Sequence, residues 1–257
     1  MKVLCLHGKG TSGGIFRSQT ASFRARLSDK NIEFDFLDGP FKSDPAAGVD
    51  LFYEPPYYAW WDSGDVESVR AACMWLNEYI AKNGPYDAAL MFSQGCVLGS
   101  SALLLHQEET PHLPPLFKSA IFVCGGVSMN MLQELGFHVS AEAHERDLAS
   151  RIALEKQAGV SAVLAQGVNR WTGIAGDLSE DELRNEIKSP YRVDIPTVHI
   201  YGSKDPRYAA GVHLSSVCNP EVRRTYNHGG GHEIPRTTEV STSIAELTEW
   251  ALASIDV

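Results

Sequence analysis

The chain reads as an α/β protein, a mostly parallel sheet with helices on both faces and one inserted helical lid. Three observations predict this. Short apolar runs alternate with segments whose apolar residues recur at helical spacing. Turn-forming residues follow several of the runs, so reactive side chains collect beyond the carboxyl ends of the strands, where open α/β sheets gather their ligands. Two stretches, 41–62 and 127–190, break the alternation. With 257 residues the chain can bury one large core, alone or with a modest appendage.

The first strand is expected at 3–6 and ends at His7-Gly8. A helix over 17–27 and a strand over 33–37 follow. Within 65–80, Val66, Val69, Cys73, Leu76 and Ile80 share one helical face. The apolar run 88–92 is a strand, and 96–106, rich in Leu and small residues, is a helix. Strands at 119–124, 197–201 and 222–226 complete the sheet. Val240, Ile244, Leu247 and Ala251 form the apolar stripe of a closing helix over 240–252.

The first interruption, 41–62, holds Phe52, Tyr53, Tyr57, Tyr58, Trp60 and Trp61 around Pro55-Pro56. The prolines exclude a central strand or an unbroken helix. The aromatics either pack on the body of the domain or line a substrate cavity, and the two roles are compatible. The second, 127–190, is too long for an ordinary crossover. Helices are expected over 142–157 and 179–188, where Ser179-Glu180-Asp181-Glu182 has the form of an N-cap with an acidic first turn. The organisation is therefore a core of 1–126 and 191–257 with a helical lid of 127–190. Trp171, Met129, Met131 and Leu132 are placed to face an apolar pocket; a plain helical decoration is the alternative.

Net charge is −10, with the acidic residues dispersed and no basic stripe, so nucleic acid is not an expected partner. No apolar run approaches the roughly 18 residues of a membrane helix and the start shows no leader pattern, so a cytoplasmic protein without membrane insertion is expected. Cys5, Cys73, Cys96, Cys124 and Cys218 form no CxxC pair and read as buried free thiols.

Ser93 stands between the strand 88–92 and the helix that follows, in Met91-Phe92-Ser93-Gln94-Gly95. A strand-to-helix turn lifts a serine oxygen clear of the backbone and aims the helix N-terminus at a developing oxyanion. The usual pattern is G-x-S-x-G; Met91 replaces the first glycine and Gly95 keeps the second. A serine needs a base, and the base an orienting carboxylate. His232 ends the turn His228-Gly229-Gly230-Gly231-His232, which can carry an imidazole onto the serine. Asp205, after the strand 197–201, is the orienting carboxylate, with Asp177 and Asp194 as weaker substitutes. Three glycines between His228 and His232 disfavour a helical metal-ligand pair, no further ligands cluster nearby, and no metal is expected. His228 is read as structural or as a support behind the reacting groups. The loop His7-Gly8-Lys9-Gly10-Thr11 follows the first strand; its spacing fits neither phosphate-loop pattern, and its exposed amides suit an oxyanion hole made by the N–H groups of Lys9 and Gln94.

Taken together, Leu4-Cys5-Leu6-His7-Gly8-Lys9-Gly10-Thr11-Ser12, Ile15-Phe16-Arg17-Ser18-Gln19, Phe92-Ser93-Gln94-Gly95, Tyr201-Gly202-Ser203-Lys204-Asp205 and the His228–His232 turn with Pro235 resemble the fungal family of small serine hydrolases within the α/β-hydrolase superfamily, which shares its pattern with the ovarian-cancer-associated hydrolase group. The resemblance implies Ser93 as nucleophile, Asp205 as acid member, His232 as base, and the Lys9 and Gln94 amides as oxyanion hole. Some relatives of this kind release polyketide chains from the acyl carrier protein of a fungal synthase, and the aromatic segment and large insertion make that branch attractive.

The expected activity is cleavage of acyl thioesters or esters with a hydrophobic acyl chain, held by Phe52, Tyr53, Tyr57, Trp60, Trp61 and Trp171, without a cofactor. The partner is the acyl substrate itself, free or on an acyl carrier protein domain of a polyketide synthase. A general carboxylesterase and a non-catalytic binding module of the same fold are the alternatives. A cysteine hydrolase built on Cys96 is weaker, since that thiol should face the packed sheet.

Overall fold

Val3, Leu4, Cys5 and Leu6 are all fully buried, as expected of a strand covered on both faces. They form β1 (Lys2–Leu6) in the computed structural model, which describes residues 1–256. After β1 come α1 (Gly13–Gln19), α2 (Ala21–Arg24), β2 (Glu33–Leu37), β3 (Phe41–Lys42), β4 (Tyr58–Ala59), α3 (Val66–Asn83), β5 (Tyr86–Phe92), α4 (Gln94–Glu109) and β6 (Phe117–Val123). The interrupting stretch supplies α5 (Met129–Glu134), β7 (His138–Val139), α6 (Ala141–Ala158), α7 (Val160–Gln166), α8 (Glu180–Asn185) and β8 (Ile187–Lys188). The chain continues with β9 (Thr197–Tyr201), α9 (Tyr208–Ser216), β10 (Arg223–Asn227) and α10 (Thr238–Ala253).

Six strands form one sheet in the order β10-β9-β6-β5-β1-β2, and every pairing is parallel. Alternate residues serve opposite faces. Leu4, Leu6, Ala89, Met91 and Phe122 point into a core shared with α3, α4 and α5. Val3, Cys5, Leu90, Ile121 and Val123 point into a second core with Phe16, Phe23 and Ile244 of α1, α2 and α10. This is the α/β architecture expected from the alternating pattern.

The differences from expectation are local. The first helix starts at Gly13, not at 17, because Ser12 caps it: its hydroxyl accepts the Ile15 N–H at 3.1 Å. It also breaks at Thr20, whose hydroxyl donates to the Phe16 carbonyl at 2.8 Å. The helix expected over 179–188 stops at Asn185, since Ile187 and Lys188 pair antiparallel with His138 and Val139. That partner lies far away in sequence, so no local pattern shows it. The capping box at Ser179 and Glu182 is present. Met129, Met131 and Leu132, expected to face a pocket, are buried in the main core instead. The five cysteines are free and buried. Among the described residues no helix is long and apolar enough to cross a membrane.

Candidate active site

Ser93 is the residue between β5 and α4, and its backbone is in an unusual conformation for a side-chain-bearing residue, φ 52° and ψ −112°. Strain of this kind persists only where the surroundings enforce it. Its N–H donates to the Val123 carbonyl at 3.1 Å, and its carbonyl accepts the Cys96 N–H at 3.0 Å. The turn demands close approach of α4 to the sheet: a Cβ on Gly95 would overlap the Leu6 carbonyl oxygen. Met91, the departure from the usual elbow, is accommodated on the same principle. A Cβ on Gly99, one turn further along α4, would overlap the Met91 sulfur. The space that a glycine before the serine normally provides is supplied here from the helix.

The Ser93 Oγ lies 2.9 Å from His232 Nε2, and His232 Nδ1 lies 2.9 Å from Asp205 Oδ2. With Nδ1–H donating to the carboxylate, Nε2 is left to accept the serine proton. Asp205 is almost fully buried, and its other oxygen accepts the Arg207 N–H at 2.7 Å. The loops carrying Asp205 and His232 are joined: the Lys204 N–H donates to the Gly230 carbonyl at 2.9 Å and the His228 N–H to Tyr201 at 2.9 Å. His228 Nδ1 accepts the Gly230 N–H at 3.1 Å, while Nε2 faces the Cys124 sulfur at 3.7 Å. Burial pulls the His228 pKa down to about 4, which suits a neutral ring holding the turn. Gly231 is obligatory because a Cβ there would overlap the Trp171 indole.

Lys9 and Gln94 flank Ser93 on the cleft wall. Gln94 is the first residue of α4, so its N–H has no carbonyl a turn earlier to bond. The Lys9 turn is braced from beneath. Trp60 Nε1–H donates to the His7 carbonyl at 2.7 Å, His7 Nε2 accepts the Gly39 N–H at 3.0 Å, and the Thr11 hydroxyl donates to the Gly8 carbonyl at 2.7 Å. The Trp60 N–H also reaches the Gln94 side-chain oxygen at 3.2 Å. Desolvation lowers the pKa of His7 and favours the neutral form that this contact requires.

These groups open onto a cleft of 1480 Å³. Of the aromatics expected to line a pocket, Phe52, Tyr53, Trp61 and Trp171 do line it. Tyr57 and Trp60 do not. Trp60 is fully buried beneath the Lys9 turn, and Tyr57 is buried with its hydroxyl donating to the Tyr53 carbonyl at 2.6 Å. Their role is to anchor the aromatic segment, a correction that no composition argument could supply. Leu154 and Val163 of α6 and α7 add apolar surface from the insertion. Arg207, also on the wall, was not singled out from the sequence; its place two residues after Asp205 was the available signal.

Cys124, Asp205 and His232 offer atoms within 4.8 Å of one another, a conceivable metal cluster. Each is otherwise engaged. Asp205 and His232 bond each other, and the Cys124 thiol donates to the Glu233 carbonyl at 3.4 Å. Burial pushes that thiol's pKa well up, away from the thiolate a metal needs. Cys96 is equally unsuited as a nucleophile, being fully buried with its thiol directed at the Val123 carbonyl at 3.5 Å.

Residues 1–244 match the family described as "Serine hydrolase (FSH1)". The chain belongs to this family. Among similar proteins, Esterase alnB of Emericella nidulans is 29% identical over 276 residues, covering 98% of this chain and 96% of alnB. Esterase FPY3 of Fusarium mangiferae is 30% identical over 239 residues, covering 92% and 89% of the two chains. Among solved structures, Zea mays acyl-protein thioesterase 2 aligns with a TM-score of 0.52 at 15% identity over 98% of this chain and 93% of its own. Arabidopsis thaliana SOBER1 aligns with a TM-score of 0.51 at 17% identity over 98% and 99%. These structures share the α/β-hydrolase fold, and family membership makes the protein a serine hydrolase of that fold.

Proposed function

We propose that Ser93, His232 and Asp205 are a catalytic triad that cleaves acyl esters or thioesters with a hydrophobic acyl chain. The observation that carries this reading is the unbroken pair of 2.9 Å contacts from Ser93 through His232 to Asp205 at the wall of an open cleft. His232 takes the Ser93 proton as the oxygen attacks the carbonyl carbon. The Lys9 and Gln94 amides receive the oxyanion, an interaction typically worth about 3 kcal/mol per donor. His232 then protonates the leaving alcohol or thiol. Water, deprotonated by the same imidazole, releases the acid and restores Ser93. Asp205 keeps the imidazole in the right tautomer and steadies its charged form. None of these steps requires a metal or an organic cofactor.

The acyl chain lies along Phe52, Tyr53, Trp61 and Trp171, with the insertion 127–190 as a lid on the core of 1–126 and 191–257. Burial of each methylene there contributes about 0.8 kcal/mol. The relatives named as esterases support oxygen esters as one substrate form. A thioester on an acyl carrier protein uses the same chemistry and is the second form to test. The decisive assay is acid release, followed by mass spectrometry, from matched medium-chain oxygen esters and thioesters, with Ser93→Ala as control. Serine-dependent release supports the proposal, and the preferred leaving group separates a general esterase from a chain-releasing thioesterase. Unchanged turnover in Ser93→Ala would sink it.

A further inference from the structure

The cleft carries more cations than carboxylates along its walls, in a chain whose net charge is −10. Most of these cations are exposed to solvent. Arg207 is different: its side chain is only 9% exposed, yet it lines the cleft. Its Nη1 is saturated, donating to the Asp147 carboxylate at 2.8 Å, the Asp147 carbonyl at 3.1 Å and the Ser150 hydroxyl at 2.6 Å. Nη2 has no protein acceptor among the described residues and sits against Gly126, where a Cβ would come within 3.1 Å of it. Half of a buried guanidinium fork is thus committed to the protein, and the other half adjoins cleft-lining backbone.

Charge makes the same point. Asp147 is shared: its Oδ2 accepts from Arg151 Nε at 2.9 Å while its Oδ1 accepts from Arg207. One carboxylate between two guanidinium groups leaves a net positive charge, and both arginines line the cleft. Glu155, a turn beyond Arg151 on α6, also reaches the cleft wall but makes no ion pair with either arginine. The position is defined by the sheet. In the order β9-β6-β5-β1, Ser93 follows β5, Lys9 follows β1 and Arg207 follows β9. The free guanidinium edge is therefore across Ser93 from the Lys9 amide.

We propose that the cleft accepts acyl substrates bearing a second, free carboxylate, received by Arg207 and Arg151 on the side of Ser93 opposite the Lys9 amide. A planar carboxylate matches the paired N–H geometry of a guanidinium and is held by charge-assisted hydrogen bonds. The inference rests on the esterase reading of Ser93 for its meaning, but binding tests it without turnover. The probes are suberic acid monomethyl ester and dimethyl suberate, which differ at one end only, titrated calorimetrically into Ser93→Ala protein at low salt.

The half-ester should bind at least about tenfold more tightly, the scale of one good charge-assisted contact. That advantage should shrink toward parity in Arg207→Gln and, separately, in Arg151→Gln. Arg207→Lys should retain part of it. Arg151 is half exposed, so its variant keeps the test usable if the buried substitution does not fold. Equal affinity for the two probes, or an advantage untouched by both substitutions, would overturn the proposal. Wild-type hydrolysis of dimethyl suberate, with Ser93→Ala as control, reports separately on the esterase reading. Turnover without half-ester preference overturns the carboxylate site alone; half-ester preference without turnover supports the site and contradicts the esterase reading.

Discussion

At the scale of single residues, a few contacts hold the whole reactive arrangement. Among the described residues the Asp205 carboxylate is the sole charged partner of His232, so Asp205→Asn should leave the fold intact and lower kcat by about four orders of magnitude through the wrong imidazole tautomer. Steady-state kinetics beside a circular dichroism spectrum would check it. Met91 and Gly99 form a complementary pair. Gly99→Val should destabilise the protein by about 1–3 kcal/mol in urea unfolding, and Met91→Ala in the same chain should recover part of the loss. Ser93, Asp205 and His232 were legible in the sequence because each follows an apolar run with a turn signal. Gly99 was not, because its significance depends on a side chain brought opposite it by the helix. Trp60 and Tyr57 looked like pocket residues from residue type alone; their burial is set by bonds to His7 and Tyr53 that composition does not encode.

At the scale of elements, the six main strands were visible from their apolar runs, to within a residue or two at most ends. Errors occur where a cap or a distant partner decides. Ser12 could have been recognised as the cap of α1, whereas the pairing of β8 with β7 links the two ends of the insertion and leaves no local trace. The insertion is not a detachable flap, since Met131, Leu132, Ala143 and Ile187 are built into the main core. Its cleft-facing part, α6, α7 and Trp171, is the portion that we propose acts as a lid. Trp171 packs against Gly231 and has its ring 6.5 Å from that of His232, edge to face. Trp171→Ala should therefore lower kcat/KM for a long acyl chain by about tenfold or more while affecting an acetyl ester much less. An equal loss for both chain lengths would place Trp171 in support of the His232 turn and not in acyl binding.

At the scale of the molecule, parallel strands bring the ends of β1, β5, β9 and β10 to one edge, and each supplies one part of the site. The same burial that shapes this edge makes stability depend on pH. Desolvation lowers His199 to about 3 and His228 to about 4, from 6.5. Between 6.5 and those values the unfolded chain binds more protons than the folded one, so stability is greatest above pH 6.5 and falls as pH drops toward 4. The urea midpoint should decline over that window, with a shallower slope in His199→Gln; a level profile would contradict the burial argument. The central claim is that the converging strand ends make Ser93 a nucleophile. Its most direct test is intact-protein and peptide mass spectrometry after treatment with an alkyl fluorophosphonate. A single adduct on Ser93, lost in Ser93→Ala and formed much more slowly in Asp205→Asn, is the predicted result. An unlabelled wild-type protein, or an adduct on any other residue, would contradict it.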